Sequence, residues 1–157
     1  MSEFTLRDYQ REALGAIKSA LQRKDNALLV APCGSGKTVI FGQIVKWLHE
    51  AGRRTLVLLD RETLVAQSYY ALRAQVDEGI SVACAALKRK DLSGNVVVGS
   101  RQTIAPMMRN GHKDASFNLV ILDECFPAGT CSYPEFPVSR KCAPAAAGRR
   151  NRGVRSR

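Results

Sequence analysis

Apolar and polar residues follow two different periods along this chain, and the switches between them mark out its elements. From Leu6 to Leu21 the apolar positions Leu6, Tyr9, Ala13, Leu14, Ile17 and Leu21 share one helical face. Ala27-Leu28-Leu29-Val30 is instead a short unbroken apolar run, which predicts a buried strand over about 26–31. Helical spacing returns from Val39 to Glu50, with Ile40, Ile44, Val45 and Leu48 on one side and Gly52 placed to end the helix. Thr55 to Leu59 reads as a second buried strand and Arg61 to Gln75 as a helix. Ile80 to Ala85 and Val96 to Gly99 are two shorter strands, separated by the exposed turn Lys88-Arg89-Lys90-Asp91. A short helix over Gln102 to Arg109, limited by Pro106, and a strand over Asn118 to Leu122 complete the pattern. Buried strands alternating with helices predict an α/β domain with a mostly parallel sheet flanked by helices.

Two stretches in this frame carry chemistry. Ala31-Pro32-Cys33-Gly34-Ser35-Gly36-Lys37-Thr38 lies between a predicted strand and a predicted helix, the setting of a phosphate-binding loop. Glycines there let backbone N–H groups close around a polyphosphate, and the helix N-terminus favours negative charge. Pro32 to Lys37 are the candidate phosphate ligands, with Lys37 reaching the β- and γ-phosphates and the Thr38 hydroxyl on Mg²⁺. The general pattern opens with Gly where this chain has Ala31, and an ordinary Gly/Ser turn before a helix is the alternative. Asn118 to Leu122 ends in Asp123-Glu124. A carboxylate at the tip of a buried strand can hold Mg²⁺ through water, and its neighbour can orient the attacking water. Asp123 is therefore the metal candidate and Glu124 the water-activating base.

Composition narrows the class. At 157 residues the chain is one domain at most, with room for a core. No apolar stretch approaches the ~20 residues of a membrane span, and no secretory pattern opens the chain. The five cysteines, 33, 84, 125, 131 and 142, contain no CxxC pair, and with only two histidines there is no zinc framework. A reduced, cytoplasmic compartment fits. The net charge of +10 is uneven: residues 126–157 hold 7 basic and 1 acidic side chains, leaving 17 and 13 for the rest. The body is only mildly basic, so overall charge does not argue for nucleic acid.

Five segments in order resemble the first RecA-like domain of superfamily 2 helicases. The likeness is to the DEAD/DEAH-like branch that includes the motor subunits of restriction enzymes and the helicases of excision repair. Leu6-Arg7-Asp8-Tyr9-Gln10 is similar to the family's "L-R-x-Y-Q" segment, whose glutamine reads adenine, which implies that role for Gln10. Ala31 to Thr38 resembles helicase motif I, where Ala at the first position is common. Leu56 to Gln67 resembles motif Ia, Val96 to Thr103 the "T-x-Q-T" segment, and Leu122-Asp123-Glu124-Cys125 the start of motif II. The resemblance implies ATP and Mg²⁺ as cofactors and contacts to the tracking strand near Arg61, Gln102 and Thr103, with DNA favoured over RNA. Such side chains suit phosphate contacts that position a strand without reading it. Taken singly, Arg61 as a solvated cap and Thr103 as a local helix cap are equally ordinary roles.

Beyond residue 125 the resemblance ends. Phe126 stands where motif II would close, and neither a Ser-Ala-Thr segment nor a second RecA-like domain follows. Cys125-Phe126-Pro127-Ala128-Gly129-Thr130 resembles the opening block of an intein. Residues 131–157 are rich in Ala, Pro, Gly and Arg without periodicity, a composition that cannot bury a core. It resembles GC-rich DNA translated out of frame; a natural basic tail is the alternative. The expectation is a truncated helicase motor domain over 1–125 that binds ATP·Mg²⁺ but does not translocate alone. In the full-length parent it would hydrolyse ATP to ADP and phosphate. A non-enzymatic nucleotide- or single-strand-binding module is the second reading, and a small kinase the third.

Overall fold

The computed structural model describes residues 5–32, 34–76, 78–109 and 116–123. Among the described residues, four helices and five strands follow one another as α1 (Asp8–Gln22), α2 (Lys37–Glu50), β1 (Thr55–Leu59), α3 (Glu62–Arg73), β2 (Ile80–Cys84), β3 (Arg89–Lys90), β4 (Val96–Ser100), α4 (Arg101–Arg109) and β5 (Leu119–Leu122). The strands form one sheet in the order β3-β2-β4-β1-β5. β2, β4, β1 and β5 run parallel, with Thr55 level with both Val96 and Leu119, and Ile80 level with Val96. All four therefore end at one edge, at Cys84, Ser100, Leu59 and Leu122.

Alternation along the strands builds the two faces, because successive side chains of a strand point to opposite sides. Val57, Leu59, Val82, Cys84, Val96 and Val98 meet Phe41 and Val45 of α2 and Val65 and Leu72 of α3. Leu56, Leu58, Ala83, Val97 and Val120 meet Ile104 and Met108 of α4, with Phe117 beside them. Helices on both faces leave β1 and β4 wholly buried, which is why both read as unbroken apolar runs. A third cluster joins Leu14 of α1 to Ile40, Ile44 and Leu48 of α2 and to Leu119 of β5, with Ile121 packed against it. Helix α1 thus rides on α2 and the β5 side of the sheet.

Helix ends follow from local chemistry. After α2 the Gly52 N–H bonds the His49 carbonyl and the Arg53 N–H the Leu48 carbonyl, with Gly52 at φ +66°. This is the left-handed closure that glycine adopts without steric cost. The same closure ends α1, where Lys24 takes φ +63° and carries the strain of its Cβ.

The sequence pattern and the structure part company in two places. No strand forms over 26–31: no backbone–backbone hydrogen bond ties those residues to the sheet. Leu28 and Val30 are 67% and 84% exposed, while Leu29 turns into the α1–α2 cluster. Burial alternates as in an extended segment, but a strand also needs a hydrogen-bonded neighbour, which apolar composition does not supply. The basic run is exposed as expected but is not all turn. Arg89 and Lys90 pair antiparallel with Cys84 and Ala83, and Lys88 makes the reversal at φ +53°.

Candidate nucleotide site

The loop before α2 is shaped by two left-handed glycines, Gly34 at φ +77° and Gly36 at φ +79°. Gly36 is the N-cap of α2, and no side chain caps that end. Its carbonyl accepts from the N–H groups of Val39 and Ile40. The earlier amides of the first turn are left pointing out of the helix, the geometry that receives an anion. A Cβ at Gly36 would meet the Gln10 side-chain nitrogen and displace it, while the left-handed φ is what favours glycine here.

Lys37 folds back over the loop and donates from Nζ to the carbonyls of Ala31 at 3.0 Å and Pro32 at 2.9 Å. Two neutral carbonyls on an ammonium group are the partners that a phosphate, with its full charge, would displace. The Ser35 hydroxyl is buried with no partner among the described residues. A loop with open amides, a folded lysine and an orphaned hydroxyl has the donor set of a polyphosphate site. Thr38 sits half-buried in the first turn of α2. Cys33 lies outside the described residues.

Gln10 is buried and engaged at both ends. Its Oε1 accepts from the Arg7 N–H at 3.0 Å, and its Nε2 donates to the Ser35 carbonyl at 3.1 Å. Tyr9 Oη donates to the same carbonyl at 2.7 Å. Sequence reasoning placed Tyr9 on the apolar face of α1 and within the L-R-x-Y-Q segment, and gave it no role of its own. Nothing in its spacing signals a reach of 26 residues along the chain to the loop.

Asp123 follows β5 directly, and its N–H donates to the Leu58 carbonyl at 3.1 Å, carrying the chain past β1 at the edge where the strands end. Packing of Ile40 and Ile44 against Leu119 and Ile121 sets α2 beside β5, which brings the loop and Asp123 to the same side of the sheet. Glu124, the expected base, lies outside the described residues, as does the whole of 124–157 with its intein-like block.

The expected strand-contacting residues fall at the same edge but in unlike surroundings. Arg61 is exposed at the N-cap of α3, and Gln102 is exposed in the first turn of α4. Thr103 is buried, only 6% exposed, and its hydroxyl is committed inward. Thr103 Oγ1 accepts from the Ala85 N–H at 2.9 Å and from Ser100 Oγ at 2.9 Å, while the Thr103 N–H donates to Ser100 Oγ at 3.3 Å. Ser100 is thus the cap of α4 and Thr103 its partner. The serine three residues ahead of Thr103 was the available signal. Asp60, at the end of β1, takes Arg101 at 3.0 Å and ties the two strand ends together. An open depression of about 570 Å³ lies between α3, the β2–β3 hairpin and α4, lined by Glu62, Ala85, Lys90, Gln102, Thr103, Pro106 and Met107. It is separate from the phosphate loop, none of whose residues lines it. Beside the hairpin, Ser93 donates to Asp91 from its side chain and its backbone N–H and holds that carboxyl below its usual pKa.

Against known proteins, the family model described as type III restriction enzyme, res subunit, matches residues 3–135. No curated protein matches the chain. Solved structures that share the fold include the following three. A nuclease-deletion mutant of the type ISP restriction-modification enzyme LlaGI, in complex with a DNA substrate mimic, is 18% identical at a TM-score of 0.58, over 76% of this chain and 15% of that one. A hypothetical ATP-dependent RNA helicase from Sulfolobus tokodaii is 21% identical at 0.59, over 78% and 37%. S. cerevisiae Dbp5 L327V, bound to RNA and ADP BeF3, is 13% identical at 0.58, over 94% and 46%. The chain spans less than half the length of each. Among the described residues no helix is long and apolar enough to cross a membrane.

Proposed function

The chain belongs to the family of the res subunit of type III restriction enzymes, and we propose that it is the ATP-binding part of a nucleic-acid-dependent motor. The observation that carries this reading is the loop itself: left-handed glycines, open first-turn amides, and Lys37 Nζ resting on two loop carbonyls. In the proposed mechanism Gly34, Ser35, Gly36 and Lys37 hold the phosphates of ATP, Lys37 exchanging its two carbonyl partners for phosphate oxygens. Pro32 and Cys33 shape the approach to them. Thr38 and Asp123 would hold Mg²⁺, which neutralises charge on the β- and γ-phosphates. Glu124 orients water for in-line attack on the γ-phosphate. Gln10 retains one amide hydrogen for the adenine edge beyond the one donated to the Ser35 carbonyl.

DNA is the favoured partner strand, since LlaGI is a restriction enzyme solved on a DNA mimic; Dbp5, solved on RNA, marks the other outcome. Arg61 and Gln102 are the proposed backbone contacts. Thr103 would act by holding the start of α4 in place, leaving Gln102 to face the strand. Movement along nucleic acid requires a second RecA-like domain to close on ATP, so this part alone binds and slowly hydrolyses. Hydrolysis would take place in a cytoplasmic setting, where free thiols persist.

Titration calorimetry with Mg·ATP on the wild-type chain and on Lys37→Ala tests the reading. Losing a charge-assisted contact to phosphate is expected to weaken binding about 10- to 100-fold. Equal affinity in the two proteins, or no binding by the wild type, would overturn it. ATP turnover raised by single-stranded DNA supports the motor, whereas DNA binding indifferent to ATP points to a non-enzymatic module.

A further inference from the structure

We infer that Tyr9 is a positioning residue for the phosphate loop. With Gln10 it holds the Ser35 carbonyl against α1 and so aims the Gly36 N–H into the concave side of the loop. This rests on the reading of that loop as a nucleotide site.

The geometry is short. Tyr9 Oη and Gln10 Nε2 converge on one oxygen, Ser35 O, at 2.7 and 3.1 Å. A carbonyl has two lone pairs, and both are now used. The Ser35–Gly36 peptide is trans, and in a planar trans peptide the C=O and the next N–H point in opposite directions. Drawing the oxygen toward α1 therefore turns the Gly36 N–H away from α1.

The peptide needs such a hold because Gly36 has no Cβ to resist rotation at its left-handed φ. Both donors stand on a firm base. Gln10 is buried, and its other end is fixed by the Arg7 N–H. Helix α1 is fastened to α2 through Leu14 with Ile40, Ile44 and Leu48. The clamp is thereby anchored to the helix that the loop opens. Tyr9 is otherwise 44% exposed, so core packing does not account for the bond its hydroxyl makes.

A contact to the loop backbone acts on any polyphosphate, whether or not a base is attached. A contact to the base acts on nucleotides alone. Titration calorimetry of Tyr9→Phe with Mg·ATP and with magnesium tripolyphosphate separates the two. The expected result is a rise in both dissociation constants by one shared factor, about 3- to 10-fold, as a lost preorganising hydrogen bond produces. The preference for ATP over GTP and the urea midpoint read by Trp47 fluorescence should not change. Gln10→Glu keeps the acceptor for the Arg7 N–H but sets a carboxylate oxygen against the Ser35 carbonyl. It should weaken both ligands more strongly than Tyr9→Phe does, and ATP beyond tripolyphosphate, because the amide hydrogen proposed for the adenine edge is lost as well. Wild-type affinity in Tyr9→Phe, or a loss for ATP with tripolyphosphate unaffected, overturns the inference while the nucleotide reading stands. Wild-type protein that binds neither ligand overturns that reading, and this inference with it.

Discussion

Thr103→Val asks whether the Thr103 hydroxyl holds the fold together or faces a bound strand. The two side chains have nearly the same shape, so the substitution removes an oxygen without opening a cavity. The Ala85 N–H loses its acceptor, and Ser100 Oγ, fully buried, loses the oxygen to which it donates. An orphaned amide costs about 1–3 kcal/mol and a broken neutral hydrogen bond about 1. The Ala85–Thr103 bond is only part-buried, which favours the lower half of the amide range, and the added methyl returns up to ~0.8 kcal/mol. The net expectation is a loss of about 2 kcal/mol, or a fall of roughly 4–8 °C in Tm for a domain of this size. Thermal unfolding followed by Trp47 fluorescence reads it directly. Thr103→Ser keeps the oxygen and should remain within about 1 kcal/mol of wild type. The reasoning fails if Val is as stable as Thr while Ser is the weaker protein. The hydroxyl would then be free for a strand contact, as the motif alone suggested.

Two further substitutions test the packing of the frame. Gly99→Ala in β4 would bring a Cβ to 2.6 Å from the Ala83 carbonyl and against the Ile104 side chain. It should lower stability by at least the 1–3 kcal/mol typical of overpacking, seen as an earlier urea midpoint; an unchanged midpoint would mean that β2 and β4 part easily. Lys24→Gly relieves the left-handed strain at the end of α1 and should raise stability by up to ~1 kcal/mol in the same assay. A fall would show that the lysine side chain contributes more than its backbone costs.

The candidate phosphate loop was legible in the sequence, because the chemistry it would need is local. Gly34, Gly36, Lys37 and Thr38 are neighbours in sequence, and the amides that complete the site belong to the same turn. The edge on which Asp123 stands follows from a parallel sheet, whose strands all end on one side. What local reading missed depends on the partner of each group. A threonine after a strand looks alike whether it faces solvent or, as Thr103 does, closes a buried triangle with Ser100 and Ala85. An apolar face position on α1 gives no sign that the Tyr9 hydroxyl will meet Ser35.

By itself the sequence determined the class of the fold and marked the loop as the candidate for phosphate chemistry. Period and run length report which faces must be dry, and glycine, lysine and threonine spacing reports which backbone can cradle an anion. The tertiary structure decided which apolar runs become strands, since a ladder needs a neighbour as well as a composition. Ala27 to Val30 therefore stays outside the sheet, while the basic pair Arg89-Lys90 enters it. It also decided which polar groups are spent on the fold and which remain for a ligand, because hydrogen bonds are assigned by proximity in space, and sequence order does not carry that.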